Sequence, residues 1–174
     1  MIWNIDPAHS NIDFSVRHMA ISTVRGRFEK LEGQATTDDT GRLVAVQSKI
    51  QASSINTNQP DRDNHLRSAD FFDVEKNPSL DFVSTEITPT GANNYKITGN
   101  LTMHGQTHPV TLNVEATDTI KDMYGNQRAA VSAKASLSRK EWGLTWNQVL
   151  EFGGVVVSDE VKFTLDIEAT QVQA

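Results

Sequence analysis

From Asn11 to His18 the chain alternates without a fault. Ile12, Phe14, Val16 and finally His18 point one way; Asn11, Asp13, Ser15 and Arg17 point the other. A period of two puts successive side chains on opposite faces of an extended backbone, so this segment is a β-strand with one dry face and one wet face. The dry face ends in a titratable ring. A greasy interior therefore gives way to something polar at that point, which raises the question of a ligand.

The same parity returns along the chain. It links Val24, Gly26 and Phe28; then Val44, Val46, Ser48, Ile50 and Ala52; then Leu80, Phe82 and Ser84. Further series run through Tyr95, Ile97, Gly99, Leu101 and Met103, through Val110, Leu112, Val114 and Ala116, and through Ala129 to Leu137. Val161, Phe163, Leu165, Ile167 and Ala169 close the set. Turn signals such as Asp38-Asp39-Thr40-Gly41 and Thr90-Gly91-Ala92-Asn93 separate these runs. About eight short strands at near-regular spacing predict an all-β antiparallel sandwich or barrel. One segment departs from the pattern. Behind Pro60, residues Asp61 to Asp73 are polar and carry Leu66, Ala69 and Phe71 or Phe72 at helical spacing, which predicts a short helix ended near Pro78.

Many inward positions are small: Gly26, Ser48, Ala52, Ser84, Gly99, Ala129, Ala133 and Ala135. Protein interiors pack to crystal-like density, so small residues facing one another across a closed sheet leave voids. Either large neighbours fill them or a ligand does, and a barrel of about eight strands is compatible with both.

At 174 residues the chain is long enough for one domain with a substantial core, and residues 1–174 are read as that single domain. A net charge of -6 and the lack of any Lys/Arg run argue against a nucleic-acid partner. The absence of cysteine excludes disulfides and thiolate chemistry. No apolar run approaches the roughly 20 residues of a membrane-spanning helix. Met1-Ile2-Trp3-Asn4-Ile5-Asp6 reads as strand, not as a leader, so a cytoplasmic location is expected unless a leader was removed.

The reactive side chains give weak signals. His104 and His108 have a metal-like spacing, but Gly105-Gln106 between them reads as a turn, and no metal or other cofactor is expected. Asp6, His9 and Ser10 lie too close together for a hydrolytic triad and read as a local turn around Pro7. His18 is either a satisfied core histidine or a donor to a ligand head group. Arg62, His65 and Arg67 form either an exposed helix face or a cationic cap over a barrel mouth, with Phe71 and Phe72 as its apolar anchor. Around Gly143, the residues Trp142, Leu144 and Trp146 read as core or as an aromatic rim.

With these residues assembled, the chain resembles the YceI-like family of polyisoprenoid-binding, lipocalin-like proteins. The matching motifs run nearly end to end: Trp3-Asn4-Ile5-Asp6-Pro7-Ala8-His9-Ser10, Phe14-Ser15-Val16-Arg17-His18-Met19 and Val24-Arg25-Gly26-Arg27-Phe28. They continue through Arg62 to Asp73, Gly99-Asn100-Leu101-Thr102-Met103-His104-Gly105, Ser138-Arg139 with Trp142-Gly143-Leu144, and Ser158-Asp159-Glu160-Val161. The resemblance implies an eight-stranded antiparallel lipocalin-like barrel whose apolar bore holds a long isoprenoid or fatty chain. It implies a binding protein and not an enzyme.

On that frame the expected lining is Ile12, Phe14, Val16, Phe28, Ile50, Phe82, Leu101, Leu112 and Phe163 along the walls. His18, His65, Arg67, Phe71, Phe72, Trp142, Leu144 and Trp146 are expected at the rim. The expected partner is a polyprenyl or other long-chain lipid, such as an isoprenoid quinone or a fatty-acid derivative, held for transport, storage or sequestration. Two alternatives stand beside it: an enzyme using His18 or His65 as acid/base on a prenyl lipid, and an empty barrel serving as a stress-related interaction module. Self-association into a homodimer is expected of a small barrel with residual edges.

Overall fold

In the computed structural model, which describes residues 1–148 and 154–173, twelve strand segments join into one antiparallel sheet. They are β1 (Ile2–Ile5), β2 (Asn11–His18), β3 (Ser22–Phe28), β4 (Leu31–Thr37), β5 (Leu43–Gln51), β6 (Ile55–Asn56), β7 (Ser79–Pro89), β8 (Asn94–Met103), β9 (Gln106–Ala116), β10 (Ile120–Lys121), β11 (Gln127–Ser138) and β12 (Val157–Gln171). One α-helix, α1 (Pro60–Arg67), lies between β6 and β7.

Register reduces these segments to eight staves of a closed barrel. β12 pairs along one edge with β11, from Ser138↔Glu160 to Arg128↔Thr170. Along its other edge it meets first β2 (Phe14↔Phe163) and then β1 (Trp3↔Gln171), so β1 and β2 are two halves of one stave. β3 and β4 pair with β2 and β1 respectively and form the next stave; β6 and β5 form the third. β7, β8, β9 and β11 complete the ring. The expected count of eight holds, but its make-up differs. β4 (LEGQATT) carries so few large apolar residues that its sequence does not announce a strand, and the run at Val24–Phe28 is only half of its stave.

The breaks inside the split staves are sealed by serine. Ser54 Oγ accepts from the amides of Glu29 and Lys30 and donates to the Gln51 carbonyl, which joins two neighbouring breaks. Ser10 Oγ does the same work between β1 and β2, donating to Glu168 O and accepting from Glu168 N. Backbone groups that lose their ladder partners thus keep a hydrogen bond.

α1 begins as its sequence suggests, with Pro60 in the first turn and the Gln59 side chain accepting from Arg62 N at 3.0 Å. It ends earlier than Pro78: residues beyond Arg67 fold into successive turns tied by amides bonding back to Leu66, Arg67 and Ser68. α1 and these turns form the upper end of the barrel. The loops at 38–42, 90–93 and 117–126 form the lower end.

At the lower end one cation ties together four parts of the chain. Arg128 on β11 meets Asp6 at 2.9 Å, Asp122 at 2.8 Å and Glu168 at 2.7 Å. The Arg128 guanidinium, helped by the His9 ring, holds the Asp6 carboxyl at about 2. Arg128 also holds Asp122 well below the usual carboxylate range. Carboxyls whose folded pKa is depressed stabilise the fold above their ordinary value of 3.8 and lose that contribution as pH falls toward about 2. Arg128→Met should therefore lower the melting temperature near neutral pH. The gap to the unsubstituted protein should close as pH falls through that window, in thermal melts followed by circular dichroism.

Candidate functional site

The inner faces of the eight staves enclose a bore of about 720 Å³, well inside the roughly 300–1,000 Å³ range of small-molecule sites. Its middle is aliphatic and aromatic. Ile12, Phe14, Val16 and Phe28 form one wall, Ile50, Phe82, Leu101 and Leu112 the opposite one, and Phe163 of β12 lies between them. Leu43, Val46, Ile97, Val131, Leu165 and Ile167 also face it, although they were not among the expected lining residues. Four of them share the parity of an expected residue on the same strand: Val46 with Ile50, Ile97 with Leu101, and Leu165 and Ile167 with Phe163. Leu43 faces the bore only because the β4–β5 register shifts between Thr36 and Thr37, and Val131 lies on β11, which supplied no expected lining residue.

The small inward residues fall into two groups. Some small inward positions are covered, as Gly26 is by the Phe14 ring and Gly99 by the Phe82 ring. Others, such as Ser48 and Ala129, border the bore itself. Ala52 instead lies fully buried in a 3-10 turn outside the strands.

Polar groups gather at the two ends. At the upper end His18, Arg62, His65, Phe71, Phe72, Leu144 and Trp146 line the bore, as do Arg17 and Arg139. His65 Nε2 bonds Asp70 Oδ2 at 2.8 Å. A carboxylate only accepts, so the proton sits on Nε2 and the neutral ring keeps Nδ1 as an acceptor. The His65 ring stands edge-on to Phe71 and Trp146, with centroids 5.1 and 4.7 Å away. Arg62 gives Nε to Thr57 Oγ1 and Nη2 to Thr57 O, both at 2.7 Å. Among the described residues its Nη1 and the His18 ring have no hydrogen-bond partner.

Two residues expected at the rim lie elsewhere. Arg67 turns away from the bore, giving Nε to Ser53 O and Nη2 to Ile55 O at 2.9 Å, and so pins α1 to the wall. Its neighbour Arg62, one of the alternatives for the cap but not among the expected lining residues, takes the inward position. Trp142 is 1% exposed and packed behind the wall, with Nε1 donating to Leu101 O at 2.9 Å. His104 donates from Nδ1 to Trp142 O at 3.0 Å and His108 stands edge-on to the same indole, so the His104/His108 spacing serves packing. Asp6 and His9 form the expected local turn, with Asp6 also accepting from Ala8 N.

Among the described residues, no cation lines the lower end. Thr40, Gly41, Asn93, Thr117, Asp118 and Thr119 border the bore there, and Asn93 Nδ2 donates to Asp118 Oδ1 at 2.8 Å. The bore is thus apolar along its length, cationic at one end and neutral to acidic at the other.

Residues 3–169 match the family model of the YceI-like domain. The chain belongs to the YceI-like family. It is 38% identical over 169 residues to a UPF0312 protein of Staphylococcus epidermidis, covering 95% of each chain. It is 36% identical over 138 residues to a UPF0312 protein of Vibrio cholerae, covering 79% of this chain and 73% of that one. Among solved structures the fold matches BcnA of Burkholderia cenocepacia with a TM-score of 0.82 at 23% identity, over 95% of this chain and 99% of that one. It also matches a polyisoprenoid binding domain from Saccharophagus degradans, with a TM-score of 0.72 at 15% identity over 98% of both chains. At these identities the two structures establish the shared barrel.

One cation of the upper end belongs to the frame of this YceI-like barrel and not to its chemistry. Arg139 is 3% exposed; Nε donates to Ser158 O and Nη1 to the carbonyls of Leu144 and Trp146, tying the segment after β11 to the start of β12. Burial pulls its basicity down, opposed by the Asp159 carboxylate. Arg139→Met strands these carbonyls, so it should lower the unfolding free energy by about 3 kcal/mol in urea titrations.

Proposed function

We propose that this protein binds a long-chain amphiphilic lipid, its tail in the bore and its polar head at the upper end, and that it carries, stores or sequesters that lipid. The candidates by chemistry are a polyisoprenoid, an isoprenoid quinone or a fatty-acid derivative. The observation that carries this reading is a continuous apolar bore that ends among side chains with spare hydrogen-bonding capacity. His18, Arg62 Nη1 and His65 Nδ1 offer donors and an acceptor to a head group, whereas the middle of the bore rewards only hydrocarbon. The likeness to a polyisoprenoid binding domain supports the same reading.

The energetics favour tight binding of long tails. Each buried methylene contributes about 0.8 kcal/mol, so a ten-carbon tail supplies about 8 kcal/mol before ordering costs. Selectivity between tails of one length is weak on this term alone; head-group contacts, at about 1.5–3 kcal/mol for a charge-assisted hydrogen bond, add the rest.

A catalytic reading has one observation in its favour, the His65–Asp70 pair, which is the geometry of a base held by a carboxylate. Turnover of a prenyl lipid that disappears in His65→Ala would replace the carrier reading.

Solvent extraction of the purified protein followed by mass spectrometry should yield a long-chain lipid. A protein that is empty, and stays empty after incubation with prenyl lipids, overturns the proposal. In a homologous series of alcohols, affinity should rise about threefold to fourfold per methylene and then level off once the bore is filled. His18→Ala should weaken binding of the alcohols by about tenfold and leave a plain hydrocarbon of equal length unaffected.

A further inference from the structure

The bore could have been narrowed by its own aromatic rings. Phe14 and Phe82 both line it, and each has a glycine of the neighbouring strand beneath its ring. Phe14 on β2 stands opposite Gly26 on β3. A Cβ at Gly26 would overlap the Phe14 ring and come within 2.8 Å of the Thr57 methyl. Phe82 on β7 pairs with Leu101 on β8, and its ring reaches diagonally to Gly99, where a Cβ would overlap it. In both places the ring lies against the wall because the neighbouring residue has no side chain. Ser48, paired with Phe82 across its other edge, keeps that side small as well.

We propose that these two glycine–phenylalanine pairs set the calibre of the bore, keeping it wide enough for a methyl-branched isoprenoid chain where standing rings would admit only a straight acyl chain. The inference rests on the lipid-binding reading above and assigns the residues that set tail selectivity within it. A side chain at Gly26 lifts the Phe14 ring off the wall and into the lumen. Removal of either ring has the opposite effect and widens the lumen at that level. A contact surface without a calibre role would respond differently, since losing the ring would weaken every tail alike.

Phytanol and hexadecan-1-ol test this, because they share head group and main chain and differ only in methyl branches. Their affinities are measured by displacement of an apolar fluorescent dye. Gly26→Ala should weaken phytanol about tenfold relative to hexadecan-1-ol, the size of effect that one methyl group has in an apolar pocket. Phe14→Ala and Phe82→Ala should shift the same ratio the other way, toward phytanol. Gly99→Ala is unsuited to the test, since its Cβ would also meet the Val83 carbonyl at 2.6 Å. A ratio that moves in one direction for all the variants, or that stays fixed in Phe14→Ala and Phe82→Ala, overturns the inference. The two ring variants decide it even where Gly26→Ala fails to fold. Failure of the unsubstituted protein to bind either alcohol overturns the lipid-binding reading instead.

Discussion

The structure depends on one consequence of closing an apolar sheet on itself. An open sheet can cover its dry face with helices or with a second sheet; a closed ring of eight staves has only its own interior to offer. Side chains then decide between a filled core and a bore. Here the rings of Phe14 and Phe82 lie along the wall over glycines instead of meeting across the axis, and a space of about 720 Å³ remains. Water gains little from entering a space lined by Ile12, Leu101, Leu112 and Leu165, where hydrogen-bond partners are few. Hydrocarbon gains nearly its full transfer free energy there.

The ends of the bore follow from what surrounds them. At the upper end the split staves, α1 and the turns after it bring several cations together. The barrel frame uses most of their donors: Arg67 holds α1 to the wall, Arg139 holds the segment after β11, and Arg17 folds back on its own hairpin through Thr23 and the Ala20 carbonyl. What is left over, on Arg62, His18 and His65, is small in number and set close to the apolar wall. At the lower end the cation Arg128 is already surrounded by Asp6, Asp122 and Glu168 and takes no part in lining the bore. Arg62, Arg67 and Arg128 are all half-buried yet differ in role, separated only by where each guanidinium proton goes.

Much of this was legible in the sequence, and the parts that were not have physical reasons. Strict alternation at 11–18 is visible because that strand has one dry and one wet face along its whole length. β4 gives no apolar alternation because Gly33 and Ala35, two of its inward positions, carry no bulk; the Ile5 side chain lies over Gly33 and needs that space. The rim was harder. Arg62 and Arg67 are both cations on one short helix, and only the packing of that helix against Thr57 and Ser53 decides which one turns inward. Trp142 looked like rim because it sits between two lining residues in sequence. The 3-10 turn at Arg139–Trp142 and the left-handed Gly143 place its indole behind the wall, against Leu101, and return Leu144 to the bore.

The two-sided pairing of β12 has a consequence for how the molecule comes into being. Its partners β1 and β2 lie about 150 residues earlier in the chain (Phe14 with Phe163, Trp3 with Gln171), so the contacts that close the ring are among the longest in sequence separation. Contacts of this kind form late and slowly, because the intervening loop must be ordered first. The hairpins β7–β8 and β8–β9, by contrast, pair near neighbours and can form as soon as they are made. During synthesis the nascent chain therefore passes through a stage in which an almost complete sheet has two raw edges and a dry face with nothing against it. A chain that stops before Val157 is not a shorter barrel. It is an open, adhesive sheet, and its quality control falls to whatever meets it in that interval.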